Sequence, residues 1–176
     1  PKDPKKRYDP YLILEHVLDA NSFFEIAPFY GSSRITGLAR ANGSPVGVTI
    51  NNPNRLGGST DGAAGEKVMR LWRLCDTFHI PVVSFVDEPG FMVGMDAQNQ
   101  GIVRAGARMV VQQCRSQSPW ISFYMKQAYG VAGQTHHRST GMYPRYAWPS
   151  GKWGSMHIEG GVSAAYKTDI ASYHTP

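Results

Sequence analysis

Cysteine is scarce: Cys75 and Cys114 are the only two in 176 residues. Two cannot build a disulfide framework, and their separation is not that of metal ligands, so the expectation is a metal-free domain in a reducing compartment. Long apolar runs are missing as well. None approaches the ~20 residues a membrane span needs, and the opening PKDPKKRYDP carries no apolar signal-peptide core. Charge is sparse at 18%, while hydrophobic residues make up 41%, so the chain has the means to bury a core and does not read as disordered. Several catalytic signatures are absent too: G-x-S-x-G, a Walker A loop, H-E-x-x-H and paired C-x-x-C.

A net charge of +5 suits nucleic acid, a membrane surface or an anionic small molecule. The basic residues are scattered, however, and only Lys5-Lys6-Arg7 forms a run. The bland reading is a solvated tail plus ordinary surface charge, with an anionic ligand as the alternative. A nucleic-acid binder would need an ordered basic face with exposed aromatics. Neither nucleic acid nor membrane is therefore expected as a partner.

What is present is a chain rich in turns, with 19 glycines and 12 prolines. Residues 1–10 read as a leader, with Pro1, Pro4 and Pro10 set among charges, and residues 11–176 as the domain proper. Tyr11–Leu18 has helical spacing. Arg34–Arg40 and Val46–Ile50 alternate around Asn42-Gly43, a dipeptide suited to a two-residue hairpin turn with positive φ at both positions. Asp61 is placed to cap an amphipathic helix running from Ala63 to about His79, with Val68, Leu71, Trp72, Cys75 and Phe78 on its apolar stripe. Pro81–Val86 is a short continuous apolar run and predicts a buried parallel strand. The pattern then recurs. Gln100–Gln113 predicts a helix with Ile102, Val103, Ala107, Val110, Val111 and Cys114 on its apolar face, and Trp120–Met125 predicts a second buried strand. Shorter segments follow: Val131–Arg138 as a short helix, Tyr146–Trp148 and Ser155–Ile158 as strands, and a helix from Gly160. A helix–strand repeat at about 35–40 residues indicates α/β units on a parallel sheet.

Such sheets place ligands at the turns that follow buried strands. The first turn here is Asp87–Gly94, followed by Gln100-Gly101, and the second is Lys126–Gln134. In the second, small residues let a ligand approach the backbone, and a helix starting there leaves its first N–H groups without internal partners. Two such groups form an oxyanion hole with no side chain involved, although most glycine-rich turns are only turns. Asp87 and Glu88 are acid/base candidates, but capping the turn is the commoner role for a carboxylate there. His136 and His137 are adjacent, so on a helix their rings diverge by about 100° and make a poor metal pair; surface or supporting positions are expected. Cys75 and Cys114 are expected in the core, and Met92, Met95 and Met109 as packing residues.

The ordered strings Asn42-Gly43, Asp61–Lys67, Arg73–Phe78, Ile80-Pro81, Val86–Phe91, Gly101–Ala107, Ala128-Tyr129-Gly130, Ala147-Trp148-Pro149 and Gly160-Gly161-Val162 give the chain a family likeness. Over roughly residues 8–167 it resembles the carboxyltransferase (β) subunits of biotin-dependent acyl-CoA carboxylases, propionyl-CoA carboxylase above all. The resemblance implies a crotonase-like (ClpP/crotonase) α/β fold of stacked ββα units. It also implies a C-terminal carboxyltransferase domain cut short after about Ile170, without the N-terminal domain that holds much of the acyl-CoA site. The implied reaction moves a carboxyl group from carboxybiotin to the α-carbon of an acyl-CoA, with oxyanions held by backbone N–H groups. Carried over by position, Val131 and Ala132 supply the biotin-side N–H groups. Gly90, Phe91, Gly101, Tyr129 and Gly130 line the pocket, and Gln134 stands where the family biases acyl chain length.

The implied partners are a biotin carboxylase and biotin carrier subunit, acyl-CoA as substrate, and further copies of the chain. The implied location is cytoplasmic, or the mitochondrial matrix in a eukaryote. The sequence also departs from the family pattern. Val131 stands where the nearest relatives have a glycine, Gln134 where the propionyl enzymes usually have an acidic residue and Glu88 where an apolar residue is common, and His136-His137-Arg138 is unlike those relatives. These differences leave open a biotin-dependent acyl-CoA decarboxylase, or a non-catalytic assembly module of a carboxylase complex.

Overall fold

Alternation along the strands sorts the core onto two faces of one sheet. The computed structural model describes residues 6–157, 161–162 and 165–167. Among these, seven strands form a mixed sheet in the order β1 (Phe24–Glu25), β2 (Arg34–Ala41), β3 (Ser44–Asn51), β4 (Val82–Glu88), β5 (Trp120–Tyr129) and β6 (Arg145–Ala147), with β7 (Lys152–Gly154) also on β5. The β1–β2 and β2–β3 pairs are antiparallel, and every pair from β3 onward is parallel.

The β2–β3 hairpin closes where expected. Asn42 has φ 49° and Gly43 φ 79°, and both of their N–H groups donate to the Asp19 carboxylate, at 2.8 and 2.7 Å. On one face of the sheet Val46, Val48 and Ile50 of β3 join Val83, Phe85 and Met125 against Leu14 of α1 (Pro10–Val17) and the adjoining Leu18. On the other face, Val82 and Trp120 meet Val68, Leu71, Trp72 and Cys75 of α2 (Gly62–Phe78) and Met109 of α4 (Ile102–Arg115). The Trp72 and Trp120 rings lie 5.1 Å apart. Each fully buried large apolar side chain contributes about 1.5–3 kcal/mol.

Asp61 caps α2 as its position predicts, accepting the Ala64 N–H at 2.8 Å. The parallel strands appear where the apolar runs stand, but β4 reaches Glu88 and β5 reaches Tyr129, each past the end of its run. The strand expected at Ser155–Ile158 is not found over its described residues: Ser155 and Met156 are bends, and the strand lies just before them as β7, where residues 152–154 pair with the extended tail of β5. Ile158 lies outside the described residues, as do 160, 163 and 164 of the helix expected from Gly160, while 161–162, 165 and 167 are helical.

Three packing expectations are corrected. α4 buries Ile102, Gly106, Met109 and Gln113. Cys114, Val103, Ala107 and Val111 therefore fall on its exposed side, and Cys114 is not a core residue. Met95 is exposed, whereas Met109 is fully buried. The leader does not hang free from Tyr8 onward: the Tyr8 hydroxyl donates to Asp87 at 2.9 Å, and the Asn54 amide donates to the Tyr8 carbonyl at 3.0 Å. Among the described residues, no helix is long and apolar enough to cross a membrane.

Candidate functional site

The two turns singled out by sequence follow adjacent parallel strands, so the fold sets them side by side at one end of the sheet. After β4, Gly90 takes φ 130°, a value a side chain would resist. Its carbonyl accepts the Thr60 N–H at 3.1 Å, and the Met92 N–H returns to the Thr60 carbonyl at 2.9 Å, so the loop is stitched to the segment entering α2. Phe91 then lies over α4 at Gly106, where an added Cβ would stand 3.0 Å from its ring.

After β5 the chain turns through Gly130, with φ 62°, directly into α5 (Gly130–Gln134). Gly130, Val131 and Ala132 form its first turn, whose N–H groups have no intrahelical partner. The left-handed conformation is taken up by Gly130, so valine at 131 costs no backbone strain. Val131 is 57% exposed, and Ala132 is buried.

Phe91 and Val131 meet in one apolar cavity of about 470 Å³, walled also by Met92, Val93, Ile102 and Val103. The remaining predicted residues are distributed around it. Gln134 lines a second cavity of about 440 Å³ with Tyr124, His137, Arg145 and Trp153. Gly101 caps the start of α4 with φ 76° and lies in a separate cleft beside Glu66 and Arg104. Tyr129 is buried at the end of β5, its ring edge-on to His157 at 5.4 Å. Gly90 supports the loop through both of its backbone polar groups.

Beneath the turns lies a polar cluster that the sequence only partly signalled. Glu88 is 0% exposed, and Arg34 and His136 are each 1% exposed, so none of them can touch a ligand. Glu88 Oε2 accepts from Arg34 Nη2 at 2.5 Å, Thr60 Oγ1 at 2.6 Å, Asn51 Nδ2 at 3.0 Å and His136 Nε2 at 3.3 Å, while Oε1 accepts the Gly90 N–H at 3.1 Å. Burial alone would raise the Glu88 carboxyl; the His136 hydrogen bond and the Arg34 charge outweigh it and hold the group below the usual carboxylate range. His136 is pushed down to about 4 by burial and by Arg34, and stays neutral.

Glu88 thus caps the turn, as is common for such a carboxylate, and also anchors a network. His136 is a buried member of that network and not a surface residue. Arg34 and Asn51 escaped sequence reasoning because each sits at the end of a strand, where alternation does not mark them as polar and buried. His137 lies near the Tyr124 hydroxyl at 3.3 Å and is also depressed by burial. Asp87, on the opposite face, is pushed up by burial. Among the described residues, no group of three or more His, Cys, Asp or Glu could hold a metal ion.

Comparison with known proteins places this geometry. The carboxyl transferase domain family matches residues 1–175. The propionyl-CoA carboxylase carboxyltransferase subunit of Haloferax mediterranei is 34% identical over 177 residues, covering 100% of this chain and 34% of that protein. The methylmalonyl-CoA carboxyltransferase 12S subunit of Propionibacterium freudenreichii subsp. shermanii is 32% identical, again over 100% of this chain and 34% of that protein. The solved structure of a transcarboxylase 12S hexamer, with methylmalonyl-CoA and methylmalonic acid bound, superposes with a TM-score of 0.91 at 33% identity, covering 97% of this chain and 33% of that one. The chain thus spans about a third of the length of these relatives, and its fold is the crotonase-like α/β arrangement of the carboxyltransferases. A mixed sheet with paired turns at the ends of its parallel strands, matched along the chain's whole length by these proteins, makes this chain a member of the carboxyl transferase domain family.

Proposed function

We propose that this chain supplies the biotin-side half of a carboxyltransferase, acting within a larger protein that moves a carboxyl group from carboxybiotin to the α-carbon of an acyl-CoA. The observation that carries the reading is α5: a glycine turn leads from a buried parallel strand into a helical first turn, and Val131 of that turn lines an apolar cavity.

The cavity is apolar, which suits the ring system of biotin, and Val131 brings the start of α5 to its wall. Its volume lies within the ~300–1,000 Å³ range of small-molecule sites. Phe91, Ile102 and Val103 offer apolar walls, and the Val131 and Ala132 N–H groups are the polar feature of α5's first turn. Carboxybiotin supplies the transferable carboxyl group, and its ureido oxygen gains negative charge as that group leaves. The two amides would hold that oxygen as fixed dipoles that need no reorganisation. No ionisable side chain is required. The nearest buried acid, Glu88, is sealed off from the cavity, and His136 is neutral and equally inaccessible.

Val131 leaves the N–H count unchanged and narrows the approach. Gln134 lines the neighbouring cavity with Tyr124, His137 and Arg145, and this second chamber is where acyl preference would be read. A biotin-carrying partner subunit and further copies of the same protein complete the assembly in this reading. The relative with the 12S name forms a hexamer, and the exposed apolar side of α4 gives this chain a surface to bury.

The test is Ala132→Pro in the full-length protein. Proline in a first helical turn removes an N–H that has no intrahelical partner. Loss of one oxyanion donor is worth on the order of 3 kcal/mol, so carboxyl transfer should fall by at least about a hundredfold, with acyl-CoA binding little changed. Val131→Gly, which keeps the N–H, should remain active. Full activity in Ala132→Pro would refute the donor assignment.

A further inference from the structure

We infer that Glu88 is a positioning residue of the carboxyl-transfer site: its buried carboxylate ties the loop carrying Phe91 to the segment carrying the Val131 and Ala132 amides, and so fixes the cavity between them. The inference rests on the proposed role of α5 and goes beyond it.

The two oxygens divide the work. Oε1 accepts the N–H of Gly90, in the loop that puts Phe91 into the cavity. Oε2 accepts from His136, two residues past the end of α5. One rigid carboxylate therefore bridges the two walls, and each wall is braced again on its own side. Thr60 donates its hydroxyl to Glu88 and its N–H to the Gly90 carbonyl. On the α5 side, the His136 ring also meets Ser84 Oγ at 2.9 Å, and Ser122 Oγ donates to the His136 carbonyl. With Nε2–H given to Glu88, the network assigns Nδ1 as the acceptor of the Ser84 hydroxyl. Gln113 of α4 donates its side-chain amide to the carbonyls of Gln134 and His137, so α5 is held from a third direction.

Burial excludes any direct chemical role, because Glu88, Arg34 and His136 have no access to solvent or cavity. The charges also balance: one guanidinium, one carboxylate and a neutral imidazole. A buried ion pair contributes little net stability against an apolar replacement, but its fixed geometry holds two separate segments in register. Such precision matters here because an oxyanion donor displaced by 1 Å loses much of its effect.

The experiment uses the full-length protein with its biotin-carrying partner. The variants are Glu88→Gln, His136→Phe, His136→Gln and the Glu88→Gln/His136→Phe double, each checked for folding by thermal melting. His136→Phe leaves the Arg34–Glu88 pair intact and so keeps the test alive if Glu88→Gln fails to fold. His136→Phe should lower kcat about tenfold or more while the KM for acyl-CoA stays within about twofold. His136→Gln, which still offers an N–H to Glu88, should recover most of the loss. The double variant should be little worse than the more impaired single one, because both changes cut one link. Folded His136→Phe with kcat within about twofold of the parent would overturn the inference, as would losses that simply multiply. Failure of the underlying reading would show separately, as full activity in Ala132→Pro.

Discussion

Glu88 and His136 carry the sharpest consequence at the scale of single residues. His136 is neutral and buried, with its folded pKa pushed down to about 4 from an ordinary value of 6.5. The unfolded chain therefore binds a proton at this site at a higher pH than the folded chain does. Stability is complete above about pH 6.5 and is lost as pH falls toward 4. The size of the effect is on the order of 3 kcal/mol. Urea midpoints measured from pH 7 to pH 4.5 should fall steadily, and His136→Phe should flatten that slope. Asp87, raised by burial, acts in the opposite sense, because its folded form takes up a proton more readily. A slope left unchanged by His136→Phe would contradict the placement of His136.

Some of these residues were legible from the sequence and some were not. The glycine turn after an apolar run was legible and is where α5 starts; the choice of the Val131 and Ala132 amides came from the family resemblance and is part of the proposal. Glu88 stands out as an acid at the end of a buried apolar run. Arg34 did not stand out, since a basic residue at the start of a strand looks like an exposed end. Only the pairing of β2 with β3, and of β3 with β4, brings it onto Glu88.

At the scale of elements, the close approach of β3 to α2 is set by glycine. A Cβ on Gly47 would stand 2.3 Å from the Cys75 Sγ, so the helix rests directly on the strand there. Gly47→Ala should destabilise by about 1–3 kcal/mol through overpacking. Gly47→Ala/Cys75→Ala should recover much of that, as denaturant midpoints will show. An additive loss in the double variant would mean that the two sites do not share the space. Turn chemistry and strong periodicity made the hairpin, α2 and β4 readable. α4 was placed correctly but given too wide a buried face, because its apolar residues form two stripes. One stripe, Ile102–Gly106–Met109–Gln113, meets the core; the other, Val103–Ala107–Val111, faces outward. A single chain's sequence does not separate a stripe that covers its own core from one that covers a neighbour. The tail of β5 was missed because Lys126 and Gln127 interrupt its apolar run, although its backbone continues to pair with β7.

At the scale of the whole molecule, the outward stripe of α4 continues into Val93 and Val131 beside the cavity. Exposed apolar surface of this kind marks an interface. The chain of residues 1–176 should therefore self-associate in sedimentation experiments, and Val103→Glu/Val111→Glu should shift it toward monomer. A monodisperse parent monomer would count against an interface on this face. Association there would set the cavity at a boundary between subunits, within reach of a substrate delivered by another part of the assembly.

The central claim concerns two main-chain amides, and a ligand's position tests it most directly. A crystal structure of the full-length protein with biotin should place the ureido oxygen about 3 Å from both the Val131 and Ala132 nitrogens, between Phe91 and α5. Biotin bound elsewhere, or those amides donating to protein carbonyls, would contradict the account.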